Sequence, residues 1–321
     1  MPAGLRIDYN DGTKVMEITA GLRCPAFGGR FKAGYGLNKY VDIAGFVPGS
    51  QIISMPYETV RLELNLLHTL NSITTSGSRV TQHATMSTYD SGEKASTYTF
   101  PGTVWQIFPV SQNSELGLLI RDSSDFTAIT NATQSGQCVW QGKVSVPVGG
   151  WTVPSIPGYS RDNYIVFGRC NSGNTVDFDG TTVRFYKAPY GRGSAPTTGD
   201  IDIVIFASGV APVPGDGLTI INSARQCTFS TVKRPFVFLG GMWKPSLSNV
   251  SIGNGYIPLG RYGFNVNTDG GVYTFWMYGV KMQNGKASLQ GGVYLGFDRY
   301  AIFGNNQVTD LNLPILPDMY L

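Results

Sequence analysis

One stretch of the 321-residue chain sets the fold class, Asn174-Thr-Val-Asp-Phe-Asp-Gly-Thr-Thr-Val-Arg-Phe-Tyr186. Apolar and polar residues alternate on both sides of Asp179-Gly180, and alternation with period two is typical of a half-buried β-strand. An Asp-Gly pair between two such runs predicts a hairpin with a type I′ turn, because both central residues of that turn need positive φ.

Similar signals recur along the whole chain, and almost nothing in it is typical of a helix. The stretch from Tyr57 to Leu70 is the one candidate helix, but its apolar residues keep period two, so it too is predicted as strand. Further strand and turn signals are Asp11-Gly12, Asp200 to Phe206, Asp269-Gly-Gly271 and Asn284-Gly285. Short strands with frequent turns predict an all-β protein built of tandem antiparallel β-sandwich modules.

Composition narrows the class of protein. Charged residues make up 14% of the chain, against a usual ~25%. Aromatic residues make up 12%, which excludes a disordered chain. The net charge of +3 gives no reason to expect a nucleic-acid partner. No apolar leader segment and no run of 18 apolar residues is present, so we expect neither a signal peptide nor a membrane span.

The four cysteines lie far apart in the sequence, at Cys24, Cys138, Cys170 and Cys227. Their spacing matches no metal-binding motif, and without a secretory route reduced, buried thiols are the expectation. The sequence leaves open whether Cys138 and Cys170 form a disulfide.

A Gly-Leu-x-Ile motif opens three segments about 100 residues apart. It occurs at Gly4-Leu-Arg-Ile7, Gly117-Leu-Leu-Ile120 and Gly217-Leu-Thr-Ile220, and each copy leads through a polar turn into a second apolar stretch. Each copy therefore predicts a small hairpin, and we expect its Leu and Ile side chains to be buried. Strands that contain an Ile-Phe pair close the segments, at Val104 to Phe108, Ile203 to Phe206 and Tyr300 to Phe303.

The repeat divides the chain into three predicted β modules of comfortable sandwich size, residues 1–113, 114–213 and 214–310. Residues 311–321 follow as a C-terminal tail. Pro314 and Pro317 exclude a helix there, so an extended, exposed apolar strip is expected, which would seek a surface on another subunit.

The third opening, Gly217-Leu-Thr-Ile-Ile-Asn-Ser-Ala-Arg-Gln-Cys-Thr-Phe-Ser-Thr231, resembles a module that recurs in tail proteins of enterobacterial phages with long flexible tails. The likeness is best over about residues 115–240 and continues through Asp162 to Gly168, Val176 to Phe185 and Asp202 to Phe206. Arg225 departs from the pattern, which tends to have Gly in that turn. The motifs describe strands and turns and carry no chemistry.

The resemblance implies a structural tail protein, at the tip or associated with fibres, that is assembled in the bacterial host cytoplasm and carried in the virion. Its implied partners are other tail proteins, in a trimeric or higher oligomer, with a host surface glycan or outer-membrane protein as a further contact. Two alternatives stay open, a carbohydrate-binding, lectin-like protein and a glycan depolymerase.

Residues for catalysis are sparse, so the sequence predicts no enzyme, no metal site and no cofactor. His68 and His83 stand near no nucleophile motif, and Ser91-Gly-Glu-Lys94 lies in a loop-like context. Two carboxylate pairs, Asp200 with Asp202 and Asp177 with Asp179, are candidates for glycoside hydrolysis, although we expect both to be solvated strand ends. Asp122, Ser124 and Asp125 are candidates for a calcium site.

A contact loop is the remaining candidate site. Tyr159, Tyr164, Tyr186, Arg184 and Lys187 surround a stretch rich in Gly, Ser and Thr. Within it, Tyr190 and Arg192 have the residue types that suit a contact with a glycan or a protein, because a tyrosine ring offers contact area at a low cost in conformational entropy.

Overall fold

The computed structural model describes residues 4–19, 21–63, 66–88, 92–109, 117–122, 125–130, 134–187, 195–269, 272–298 and 306–321. It confirms the all-β prediction, because the paired strands run antiparallel and form several sheets. One short 3-10 turn, Arg161–Asn163, interrupts the strands. No helix among these residues is long and apolar enough to span a bilayer.

The strands of the first third are β1 (Gly4–Ile7), β2 (Met16–Thr19), β3 (Ala26–Phe31), β4 (Gly34–Tyr35), β5 (Tyr40–Asp42), β6 (Gln51–Pro56), β7 (Val60–Glu63), β8 (Leu66–Ser76), β9 (Arg79–Thr88), β10 (Gly92–Ala95), β11 (Tyr98–Thr99) and β12 (Gly102–Ile107). The central strands are β13 (Gly117–Asp122), β14 (Asp125–Thr130), β15 (Gln137–Val146), β16 (Trp151–Thr152), β17 (Tyr164–Arg169), β18 (Thr175–Phe178), β19 (Thr182–Tyr186), β20 (Pro196–Thr197) and β21 (Gly199–Ala207). The last are β22 (Thr219–Ile221), β23 (Cys227–Ser230), β24 (Met242–Trp243), β25 (Val250–Ser251), β26 (Ile257–Pro258), β27 (Gly263–Asp269), β28 (Val272–Gln283), β29 (Lys286–Asp298), β30 (Gln307–Val308) and β31 (Leu313–Pro314).

The hairpin predicted at residues 174–186 is confirmed, with β18 paired to β19. Its turn differs from the prediction, because Gly180 alone has the positive φ, at 88°. Asp179 instead accepts hydrogen bonds from the backbone N–H groups of Thr181 (2.9 Å) and Thr182 (2.8 Å). The type I′ geometry occurs at Asn284-Gly285, where φ is 52° and 68°.

The three Gly-Leu-x-Ile hairpins are also confirmed, as two-stranded sheets β1–β2, β13–β14 and β22–β23. Full burial of their apolar side chains is a wrong prediction for the first and third copies. Leu5, Ile7, Leu218 and Ile220 are half-buried and pack against the main core. The first and third hairpins lie against the core as small two-stranded sheets, which leaves these side chains partly solvated. The side chains of Leu118 and Ile120 lie outside the described residues.

The segments that follow the hairpins pair with one another in a closed cycle. Three isolated β-bridges form the cycle. Arg23 pairs with Phe238, Ala26 pairs with Ser135, and Gln137 pairs with Pro235. We call residues 23–26, 135–137 and 235–238 the three-segment ring. The first residue of each segment pairs with the last residue of the preceding one, so the three segments occupy equivalent places.

Close packing under the ring ties it to the core. The Trp105 ring lies edge-on between Phe27 (5.6 Å between centroids) and Phe236 (5.1 Å). Gly136 leaves the room for this contact, because a Cβ there would lie 2.9 Å from the Trp105 ring and 3.1 Å from the Phe236 Cβ.

Equivalent strands continue from the ring in the first two modules. β3 pairs with β12, and β12 pairs on its other side with β6. In the same order, β15 pairs with β21, and β21 pairs with β17. The strand predictions at Val104 to Phe108 and at Ile203 to Phe206 are thereby confirmed, whereas Tyr300 to Phe303 lies outside the described residues.

The C-terminal residues 311–321 are extended, as predicted, but they do not form an exposed strip. β31 pairs with β24, the strand that follows the third ring segment. Leu313, Leu316 and Tyr320 are fully buried in the chain's own core. The Tyr320 hydroxyl donates to the carbonyl groups of Pro235 (2.9 Å) and Val237 (3.1 Å) of the ring. The prediction of an exposed apolar strip is therefore wrong, because these side chains pack in the chain's own core, and docking on another subunit stays a prediction.

Strands from both sides of residue 213 share sheets. β17 pairs with β26, and β18 pairs with β28. The main core likewise draws on residues from Met16 to Tyr320. The module boundaries at 113, 213 and 310 stay a prediction about how the sequence repeats.

Candidate functional site

A polar cleft of about 750 Å³ opens beside the end of the central strand β21. Charged, amide and backbone groups line most of it. The lining residues are Lys143, Val144, Ser145, Arg169, Cys170, Asn171, Asp200, Ile201, Asp202, Ile252, Gly253, Asn254, Asn284, Gly285 and Lys286. The volume lies in the ~300–1,000 Å³ range of small-molecule sites, although such sites are usually more apolar.

Strand alternation brings Asp200 and Asp202 to the cleft together. Ile201 and Ile203, which alternate with them on β21, are buried, so the two carboxylates share the opposite face. Asp200 is exposed and accepts a hydrogen bond from the Ser145 hydroxyl at 2.6 Å. The exposure of Asp200 agrees with the predicted solvated strand end, whereas Asp202 is half-buried and does not.

Asp202 is held by an arginine from the neighbouring strand. Arg169 lies directly opposite it in the register of β17 and β21, and donates to one carboxylate oxygen from Nη2 (2.7 Å) and Nε (3.2 Å). Lys143 lies opposite Asp202 on the other neighbouring strand. Opposite charges across adjacent strands stabilise a sheet, so Asp202 is a half-buried structural anion.

The same arginine fixes the C-terminal segment beside the cleft. Arg169 also pairs with Asp318, and its guanidinium lies over the Tyr256 ring at 4.3 Å from the centroid. Lys14 pairs with the second oxygen of Asp318 at 2.6 Å. Burial acts to raise the pKa of Asp318, but the hydrogen bonds from Lys14 and Arg169 outweigh it, so that pKa is lowered.

The walls of the cleft are rigid turns. The backbone N–H groups of Ile252 and Gly253 donate to the Gly285 carbonyl at 2.8 and 3.0 Å. The Asn284 N–H donates to the Asn171 side chain at 2.9 Å. The Asn284-Gly285 turn, which the sequence predicted only as a hairpin element, therefore forms part of the cleft.

Acid catalysis of glycoside hydrolysis needs one carboxylic acid that is kept protonated in a desolvated position. Asp202 instead accepts hydrogen bonds from Arg169 and lies opposite Lys143, and Asp200 faces solvent. The arrangement offers hydrogen-bond donors, acceptors and fixed charges, which suits binding of a polar molecule better than bond cleavage.

The second acidic pair has a different environment, and the prediction of solvation is wrong for it. Asp177 is fully buried and accepts two hydrogen bonds from Arg261, at 2.8 and 2.9 Å. Asp179 stabilises its turn and pairs with Arg184 at 2.5 Å. Burial acts to raise the pKa of Asp179, but the Arg184, Thr182 and Thr181 hydrogen bonds outweigh it and lower that pKa.

His68 belongs to a chain of hydrogen bonds that runs from the buried Ser96 to the partly exposed Glu63, and the sequence did not reveal it. Its Nδ1 lies 2.8 Å from the Ser96 hydroxyl, and its Nε2 lies 3.2 Å from the Tyr35 hydroxyl, which donates to Glu63 at 2.5 Å. Ser96 is 2% exposed, so its hydroxyl is shielded from solvent. Burial lowers the pKa of His68, as expected for a satisfied core histidine. No local pattern connects His68 with Ser96, 28 residues later.

The other sequence candidates do not assemble. Tyr164 and Tyr186 are buried, Lys94 lies on strand β10, and His83 bonds the Thr74 hydroxyl at 2.7 Å on the surface. Tyr190 and Arg192 lie outside the described residues, as do Ser91 and Ser124. Among the described residues, no group of three His, Cys, Asp or Glu side chains is placed to hold a metal ion.

All four cysteines are free thiols, so Cys138 and Cys170 do not form a disulfide in this structure. Cys24, Cys138 and Cys227 are buried as predicted, and Cys170 is half-buried. Burial raises the pKa of both Cys138 and Cys170 to about 12, which keeps these thiols protonated and unreactive.

A smaller pocket of about 340 Å³ lies between strands of the first and second predicted modules. Tyr57 and Phe178 contribute aromatic rings, and Arg30 and Asp162 contribute charges. The two terminal nitrogens of Arg30 already donate hydrogen bonds within the protein, to Asn163 (2.8 Å) and to Ser208 (3.0 Å). This pocket joins neighbouring parts of the chain and lacks the density of polar groups found in the cleft.

Comparison with known proteins gives one match. Residues 4–299 match a family of unknown function, DUF6453. The chain belongs to this family. The DUF6453 match covers all three Gly-Leu-x-Ile hairpins, the ring and the cleft residues on β15, β17 and β21. No curated protein and no solved structure matches the chain.

Proposed function

We propose that this protein is a non-enzymatic structural component of a bacteriophage tail, at the tip or associated with a fibre. It assembles in the host cytoplasm and reaches the virion together with other tail proteins. The observation that carries the proposal is the set of three Gly-Leu-x-Ile hairpins, whose sequence pattern resembles a phage tail module and each of which forms a separate two-stranded sheet.

The chemistry of the cleft supports a structural role. Its half-buried carboxylate, Asp202, is neutralised by Arg169, and Arg169 also binds Asp318. Side chains that hold strands and the C-terminal segment together are not free to exchange protons with a substrate. The large aromatic core, with Trp105, Trp243 and Trp276 almost fully buried, suits a rigid part of an assembly.

The test is the location of the protein in cells that produce particles. Particles are purified by density gradient, and tails and capsids are separated and quantified by mass spectrometry. We expect the chain in the tail fraction at a fixed ratio to other tail proteins, and tails that are incomplete when its gene is deleted. Complete, infective particles without the chain would overturn the proposal.

Carbohydrate binding is the second candidate, and the polar cleft is the observation that favours it. Amide groups of Asn171, Asn254 and Asn284 and the free face of Asp200 offer donors and acceptors to sugar hydroxyls. Titration of the purified protein with host surface polysaccharide, followed by calorimetry, tests this function. Binding that is lost in Asp200→Asn but kept in Asp216→Asn, a substitution outside the cleft, would support a lectin.

A further inference from the structure

The three hairpins present equivalent edges. In each two-stranded sheet the Gly-Leu-x-Ile strand, β1, β13 or β22, pairs on one side only among the described residues. A strand paired on one side leaves a row of backbone N–H and C=O groups that a strand of another chain can use. The Gly-Leu-x-Ile strand therefore supplies one of the two unpaired edges of each hairpin.

The three edges follow a threefold order. Each hairpin leads directly into one segment of the three-segment ring, in which the first residue of one segment pairs with the last residue of the preceding one. The hairpins are also neighbours, since β14 lies against both β2 and β23. A cyclic order of three equivalent elements is the arrangement of a cyclic trimer, here built within one chain.

The surface around the first and third of these edges is accessible. The turn residues Asp8, Asp11 and Ser223 are exposed, and so is Arg6 on β1. Ile221, at the end of β22, is 56% exposed. A strand added to such an edge gains main-chain hydrogen bonds and covers the adjacent apolar side chain.

We infer that these three edges form a docking face for a homotrimeric protein, in which each of three identical subunits adds one β-strand to one Gly-Leu-x-Ile edge. One copy of this chain then binds three copies of the partner. Three identical strands need three equivalent edges in cyclic order, and the ring supplies that order. The inference rests on the proposed function in one respect, which is that the partner is expected among the tail proteins.

Stoichiometry is the first test. The full chain carries an affinity tag in the cells where its gene occurs, and the complex is analysed by native mass spectrometry. We expect one chain with three copies of a single subunit. Equal numbers of both proteins, a partner present once, or recovery of the chain alone would overturn the inference. The location test above is separate, since a 1:3 complex that never enters tails refutes only the tail function.

Cross-linking is the sharper test. Single cysteines are placed at the residue that follows the motif isoleucine, as Asp8→Cys after Ile7 and Ile221→Cys after Ile220 in a Cys170→Ser background, and coupled to a photoreactive group. Both variants should cross-link to the same residue of the partner, because symmetry-related subunits meet equivalent edges. Ser76→Cys, exposed at the far end of the β8–β9 hairpin, is the control and should not link to that residue. Links from Asp8→Cys and Ile221→Cys to different residues would contradict threefold docking.

Discussion

Two Asp-x-Asp pairs share a local pattern and have opposite environments. Asp177 on β18 is fully buried against Arg261, whereas Asp200 on β21 is exposed and bonds only the Ser145 hydroxyl among the described residues. The pattern around each pair is the same alternation on a strand. The environment is decided by the residues that the rest of the chain places against that face, here a half-buried arginine in one case and an open cleft in the other.

The largest expected effect is on the buried pair. Arg261→Met leaves the Asp177 carboxylate buried without its partner, which should lower the free energy of unfolding by about 3–5 kcal/mol. Denaturant unfolding followed by tryptophan fluorescence measures it. The double variant Asp177→Leu with Arg261→Met should recover most of the loss, because no charge is then stranded. A loss below about 1 kcal/mol in the single variant would mean that the Asp177–Arg261 pair contributes no more to stability than a solvent-exposed ion pair does.

The cleft pair should respond less strongly. Arg169→Met removes the hydrogen bonds to Asp202 and Asp318, but water reaches these carboxylates, whose side chains are 19% and 29% exposed. We expect a loss of about 1–2 kcal/mol in the same measurement. Arg169→Lys should recover part of it. A loss as large as that of Arg261→Met would mean that burial of the carboxylate does not determine how much stability its arginine partner contributes.

The pH dependence sharpens the comparison at the cleft. The pKa of Asp318 is lowered from its ordinary 3.8 in the folded protein. Its contribution to stability is therefore present above pH 3.8 and is lost as the pH falls through the lower folded-state pKa. Denaturation midpoints measured down to about pH 2 should fall less steeply in Asp318→Asn than in the wild-type protein. Parallel curves for the two proteins would contradict this contribution.

The smallest effect should come from the exposed carboxylate. Asp200→Asn should change the free energy of unfolding by no more than about 0.5 kcal/mol, as for other surface substitutions. The wild-type protein should release no reducing ends from capsule, lipopolysaccharide or peptidoglycan fragments. If reducing ends appear, and Asp200→Asn or Asp202→Asn abolishes them in a folded protein, the cleft is an active site.

Sequence reasoning succeeded where the determining contacts are local. Alternation and turn residues located the β18–β19 and β28–β29 hairpins and all three Gly-Leu-x-Ile hairpins. It predicted Tyr57 to Leu70 as strand, and the structure has β7 and β8 there. Type I′ geometry was assigned to Asp179-Gly180 because Asp-Gly permits it, and the Asp179 side chain selected another turn.

Sequence reasoning failed where distant residues decide. No residue near Asp177 in the sequence indicates its ion pair with Arg261, and no residue near His68 indicates its hydrogen bond with Ser96. The C-terminal residues looked like an exposed strip because the strand they join, β24, is 70 residues away. The cleft forms where three separate turns and three strands meet. Its acidic pair was visible in the sequence, but its basic residues were not recognised as part of it.

The three-segment ring has a consequence for the rate of folding. Each of its bridges joins residues separated by most of a module or more, as between Arg23 and Phe238. Long loops must close before any of these bridges forms, and the entropy of loop closure slows such steps. We expect the hairpins to form early and the ring to close last, so that mixing the refolding chain with denaturant at successive times shows Trp105 becoming buried in the slowest phase.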